Sequence, residues 1–151
     1  MKLRNVLWSV LLVLTVSFFV HAEEAPKKQP VEKTELEGKM DVMGKAWKKL
    51  KRQVADASQN PDSLQLVATI RTAAEDALKL IPARVADVPA ADQAKFMADY
   101  QAGIRKLIAS FGKLEAALSA GKNDEAVKLV AEISVIQKAG HNAFERPDEK
   151  K

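Results

Sequence analysis

From Thr34 onward the apolar residues recur every three or four positions. Leu36, Met40, Met43, Trp47, Leu50, Val54 and Ala57 are spaced 4, 3, 4, 3, 4 and 3 apart, which sets them on one face of a helix. Lys48, Lys49, Arg52 and Asp56 fall on the opposite face. Thr34, with Glu37 three residues on, forms a capping-box pair and predicts where the helix starts. Asn60-Pro61 breaks the pattern, and Pro61 suits the first turn of the next helix. That second helix is expected from about Asp62 to Ile81, with Val67, Ile70, Ala74, Ala77 and Ile81 on one face and Pro82 as its stop. The stretch "PARVADVPAAD" leads to a third helix, expected over Ala90 to Ala120. Its stripe is Phe96, Tyr100, Ile104, Leu107, Phe111, Leu114 and Leu118. Gly121 is the residue type that closes a helix in the left-handed conformation. A fourth helix is expected from Asn123 to about Glu145, with Ala126, Val130, Ile133, Gln137, Gly140 and Phe144 along one side and Pro147 behind it.

No stretch of useful length alternates with period two, so no strand is predicted. Four helices with short joints must pack against their chain neighbours in alternating directions. The expected fold class is therefore all-α, an antiparallel up-down-up-down four-helix bundle over residues 35–145. Gly44, Gly103, Gly112 and Gly140 lie inside predicted helices, where each costs about 1 kcal/mol relative to alanine. Gly103 and Gly140 lie near the apolar stripes, so the approach of something bulky would justify them.

The N-terminal residues read differently. Lys2 and Arg4 precede the uncharged apolar run "VLWSVLLVLTVSFFV", and "VHA" follows. This is the layout of a cleaved signal peptide, residues 1–22, with the cut between Ala22 and Glu23. The run from Val6 to Val20 is 15 residues, short of the ~20 needed to span a bilayer. Residues 23–34 mix charges with two prolines and read as a flexible lead-in. Residues 146–151 form a C-terminal tail. The signal predicts export to a periplasm and no membrane association after cleavage. The chain has 24 Lys plus Arg against 20 Asp plus Glu, scattered rather than blocked, which argues against nucleic-acid binding. It has no cysteine. Disulfides, thiol catalysis, cysteinyl metal centres and covalent c-type haem through CxxCH are all excluded.

The residues that could carry chemistry sit at one end of the expected bundle. Met40 and Met43 are in the opening turns of the first helix and His141 is in the closing turns of the fourth. In this topology those two helix ends are neighbours. His141 follows Val130 by 11 residues, about 20° from the same direction at 100° per residue, so it is expected to point inward or nearly so. A thioether opposite an imidazole suits iron, above all a haem iron with both axial positions filled. It also suits copper. The plainer reading is that methionine at helical spacing is core filler and a histidine is simply hydrogen-bonded. No carboxylate pair, nucleophile–base pair or open metal triad can be assembled in the core, so an enzyme is not expected.

The segments "LEGKMDVMGKAWKKLK" and "GKNDEAVKLVAEISVIQKAGHNAF" resemble the first and last helices of the cytochrome b562 family. The resemblance covers roughly Leu36 to Glu145. It implies a periplasmic four-helix bundle holding one non-covalent haem b and acting as a one-electron carrier. The family's ligand methionine follows an "LE" pair, which here is Met40 in "LEGKM", and its ligand histidine corresponds to His141 in "AGHNAF". Met43, one turn on, is the rival ligand or a haem-packing neighbour. Tyr100 and Ile104 match the third-helix positions that pack aromatic rings on the porphyrin, one aromatic being replaced by an aliphatic. Gln137 stands where well-known members carry an arginine. The resemblance further implies redox proteins as partners and a monomeric state. The competing expectation is a cofactor-free periplasmic bundle that binds a protein or peptide, since a fold can outlive its cofactor.

Overall fold

The computed structural model describes residues 34–146. The expected signal peptide, all of the lead-in except Thr34, and the tail beyond Arg146 lie outside the described residues. Four helices make up most of the remainder: α1 (Glu35–Gln53), α2 (Asn60–Ala77), α3 (Ala90–Ser119) and α4 (Asn123–Phe144). Short 3-10 segments, Ala57–Gln59 and Ala83–Asp87, fill the first two joints. There is no strand among the described residues, and the all-α bundle expected from periodicity is the fold observed.

Each boundary has a local cause. The capping box at Thr34 is formed: its hydroxyl accepts from the Glu37 N–H at 3.2 Å, and the Glu37 carboxylate accepts from the Thr34 N–H at 2.6 Å. Pro61 occupies the first turn of α2, where its missing N–H has no helical partner to lose. At the end of α3, Gly121 has φ +68°. Its N–H donates to the Leu118 carbonyl at 3.0 Å, and the Lys122 N–H donates to Ala117 at 2.9 Å. This is the Schellman arrangement, which reverses the chain into α4.

α2 ends four residues earlier than the sequence pattern suggests. Pro82 cannot donate to a helical carbonyl and disfavours helix in the residue before it, so the last turn loosens upstream. The Lys79 and Leu80 N–H groups make tight bonds to Asp76 and Ala77 at 3.0 and 3.1 Å. The Ala77 carbonyl also accepts the Tyr100 hydroxyl from α3 at 2.9 Å. Ile81 is therefore 67% exposed rather than part of the buried face. Ala57, the last member of the first expected stripe, lies in the 3-10 turn and is exposed. Ala46, outside that stripe, is buried.

Antiparallel packing is legible from the cross-links. Lys39 pairs with Asp76 at 2.7 Å and Lys49 with Asp62 at 2.9 Å, tying α1 to α2 in opposite directions. Arg71 of α2 pairs with Glu115 of α3. At the α1–α4 corner the Asn123 side-chain N–H donates to the Val54 carbonyl and to Asn60 Oδ1, both at 2.8 Å. The core is continuous through Met43, Trp47, Leu50, Val67, Ile70, Tyr100, Phe111, Leu114, Leu118 and Ile133. Trp47 meets Phe111 edge-on at 5.4 Å between ring centres. Close backbone packing runs along α1–α2, α2–α3 and α3–α4, and α1 against α4 is the loosely closed side. α4 has only two buried residues, Ala126 and Ile133, in its 22. No described helix is long and apolar enough to cross a membrane.

Candidate functional site

The expected donors do share one end of the bundle. Lys39, beside Met40, reaches Asp76; Ala77, beside Asp76, takes the Tyr100 hydroxyl; and Tyr100 packs on Phe144, one turn from His141. Those contacts form a single layer running α1, α2, α3, α4. Phe144 sits edge-on to both Phe96 and Tyr100, with ring centres 5.4 and 5.5 Å apart. Tyr100 and Ile104 are buried and form the α3 wall of this layer. Burial pushes the Tyr100 phenol up to about 12, because a buried phenolate loses its hydration.

The two methionines differ. Met43 is 7% exposed and belongs to the core. Met40 is only partly buried and packs against the core's edge. The three residues between them turn the helix by about 300°, so Met40 lies about 60° around from Met43, off the centre of the buried face.

His141 is not buried as expected. Its side chain is 46% exposed. The reason lies in the phase of α4. The buried centre of that helix is Ala126 and Ile133, with Phe144 about 20° from Ile133 and His141 about 80° away at 100° per residue. Val130, the reference for the expected inward direction, is itself on the half-buried flank. His141 follows Asn123 by 141 − 123 = 18 residues, five turns at about 3.6 residues each. Asn123 is the residue that reaches across to Val54 on α1. His141 thus shares a helix face with Asn123, whose side chain at the other end of the bundle bonds both to Val54, the cap of α1, and to Asn60 of α2.

The polar partners of the imidazole are both on its own helix or its cap. Nδ1 is 2.8 Å from Glu145 Oε2, and Nε2 is 3.5 Å from the Gln137 side-chain nitrogen. A carboxylate only accepts, so Nδ1 carries the hydrogen, and in the neutral ring Nε2 keeps its lone pair. Glu145 and Phe144 are not among the residues expected at the site. The signal for Glu145 is its i,i+4 spacing from His141.

The glycines are informative at two points. A Cβ at Gly140 would meet nothing within 4 Å, and one at Gly103 would meet only Phe144 at 3.5 Å, an ordinary contact. The chain's own packing therefore requires neither. Among the described residues no group of three or more His, Cys, Asp or Glu converges as a metal site. The donors at this end are the imidazole and the thioethers. A shallow surface depression of about 530 Å³ lies at the α3–α4 turn, lined by Gly121, Lys122, Asn123, Asp124, Glu125 and Lys128. It is at the opposite end of the bundle and holds none of the candidate residues.

Comparison with known proteins bears on the fold and the family. The family model described as Cytochrome b562 matches residues 35–145, the span of the four helices. No curated protein matches the chain at a significant level.

Proposed function

The chain belongs to the cytochrome b562 family, and from that premise we propose that it is a periplasmic b-type cytochrome that carries one non-covalent haem between Met40 and His141. The family is one of haem-binding electron carriers, and its up-down-up-down topology is the established one for cytochrome b562. What supports the ligand assignment is that both donors lie at one end of the bundle, Met40 near the start of α1 and His141 near the close of α4. The His141 Nδ1 hydrogen goes to Glu145, and its Nε2 lone pair meets only the Gln137 side-chain amide, at the long distance of 3.5 Å. Met40 lies at the same end of α1, half-buried at the edge of the core.

When bound, the haem supplies a one-electron iron couple. The chain's residues hold it and tune it. The Met40 thioether is a soft donor that favours the ferrous state and raises the potential. The Met43 side chain is enclosed by the core and serves packing. Tyr100 and Ile104 form an apolar wall, and Gln137 borders the ligand imidazole at 3.5 Å. Gly140 and Gly103 leave room that a side chain would take. With no cysteine in the chain, attachment of the haem is non-covalent. With Met40 and His141 both serving as ligands, the chain would hold the haem for electron carriage rather than catalysis. Redox proteins are the partners, and the carrier acts as a monomer. Residues 1–22 read as a secretory signal, in keeping with the family's periplasmic location.

The test is the His141→Ala variant. The native protein purified with haem is expected to show a six-coordinate low-spin spectrum, and the variant is expected to lose it. A native chain that neither carries haem nor takes it up from haemin would refute the proposal and leave the cofactor-free binding protein in its place.

A further inference from the structure

The bond between His141 and Glu145 has little to do for the fold. An exposed i,i+4 pair contributes little to stability, and α4 is already closed by its backbone. The Glu145 N–H donates to the His141 carbonyl at 3.1 Å. Arg84, from the 3-10 segment between α2 and α3, donates to the Asn142 carbonyl at 2.8 Å and to the Glu145 carbonyl at 3.4 Å. Arg146 pairs with Asp87 of the same segment at 3.0 Å. The backbone at Glu145 is thus held on both sides by contacts that do not use its carboxylate. That carboxylate is 2.8 Å from His141 Nδ1, the ring nitrogen opposite Nε2, which meets only the Gln137 amide at 3.5 Å.

This is the arrangement in which a metal-binding histidine is oriented by an outer partner. Such a histidine commonly donates its other N–H to a carboxylate, carbonyl or water, which fixes the tautomer and ring plane and raises the basicity of the ligating nitrogen. We propose that Glu145 is a positioning residue for the haem ligand: its carboxylate orients the His141 ring with Nε2 toward the iron, strengthens it as a donor and thereby lowers the reduction potential. The proposal rests on His141 being an axial ligand. A more basic imidazole stabilises the ferric state, so Glu145 acts against Met40, whose thioether favours the ferrous state. The two ligands then set the potential from opposite directions, Met40 directly and Glu145 through His141.

The experiment compares the haem-loaded native protein with Glu145→Gln and Glu145→Ala. Midpoint potentials are measured by spectroelectrochemical titration, and affinity is measured with haemin as the probe. Glu145→Gln keeps an acceptor oxygen but no charge. It is expected to retain the low-spin spectrum, bind haemin more weakly and show a raised potential. Glu145→Ala is expected to lose about 10- to 100-fold in ferric haem affinity. Each tenfold loss of ferric relative to ferrous affinity reads as a rise of about 59 mV. If both variants keep the native potential while binding haem normally, the role of Glu145 is overturned and the cytochrome reading stands. The role is equally overturned if the variants change only the melting temperature. If the native protein itself takes up no haem, the cytochrome reading falls and this proposal falls with it.

Discussion

Met40 and Met43 sit one turn apart on one helix, and leucine substitutions separate their roles. Leucine nearly conserves methionine's volume, so either change costs less than about 1.5 kcal/mol in packing, yet each removes a thioether. Met43 is 7% exposed and surrounded by core side chains. Truncating it to alanine removes transfer energy and leaves a cavity, about 2–5 kcal/mol together. Met40 already leaves part of its side chain in water. Losing the remainder forfeits roughly half of the 1.5–3 kcal/mol of a fully buried side chain, about 1 kcal/mol. Urea unfolding of the haem-free protein reads these costs without the stabilisation that bound ligand adds, about 2.7 kcal/mol at a hundredfold excess over Kd. Visible spectra of the haemin-loaded variants read the ligand. Met40→Leu is expected to unfold near the native midpoint and to lose the low-spin spectrum. Met43→Leu is expected to keep that spectrum, and Met43→Ala to keep it while unfolding at much lower urea. A low-spin spectrum that survives Met40→Leu and is lost in Met43→Leu would reverse the assignment. Survival in both would remove methionine from the iron.

Other consequences concern the frame that holds the site. Asn123→Ala removes the bonds to Val54 and Asn60 and is expected to cost about 1–3 kcal/mol, seen as a lower urea midpoint with unchanged slope. Gly121→Ala forces a side chain into φ +68° and is expected to cost about 1–2 kcal/mol, with Gly121→Asn costing less, as a fall in melting temperature. Tyr100 is the only tyrosine in the chain, so the rise in ultraviolet absorbance on alkaline titration that marks a phenolate reports it alone. Its folded value is raised to about 12, so folded and unfolded chains are both protonated at neutral pH and the group adds no pH dependence there. Above its ordinary value of about 10 the unfolded chain releases the proton first, and stability falls as pH rises from about 10 to about 12. The phenolate signal is expected to appear together with loss of helical circular dichroism. A phenolate signal centred near 10 in a still-folded chain would contradict the buried Tyr100–Ala77 bond.

Much of this frame is legible in the sequence because it rests on local rules. The 4-and-3 spacing from Leu36 to Val54, the Thr34–Glu37 cap, Pro61 and Gly121 each act within a turn or two, and all four hold in the structure. The departures arise where tertiary contacts compete. Ile81 fits the α2 stripe, but Pro82 and the Tyr100 hydroxyl unwind the helix before reaching it. The site is legible in its location and less so in its detail. Helix order brings the ends of α1 and α4 together. The phase of His141 is better measured from Ile133 and Asn123 than from Val130, because only contacts with α1 and α3 reveal which part of an apolar stripe is its centre. Glu145 is hidden in a search for a core partner to a buried imidazole, since His141 is on a flank and its partner is the next turn along its own helix.

The central claim is a single haem held between Met40 and His141, and titration of the haem-free mature chain with haemin, followed by visible absorption before and after dithionite, tests it most directly. The expected result is saturation at one haem per chain, with a low-spin ferric spectrum that sharpens into split ferrous bands on reduction. Absence of saturable binding, or an open-coordination high-spin spectrum in both oxidation states, would contradict it.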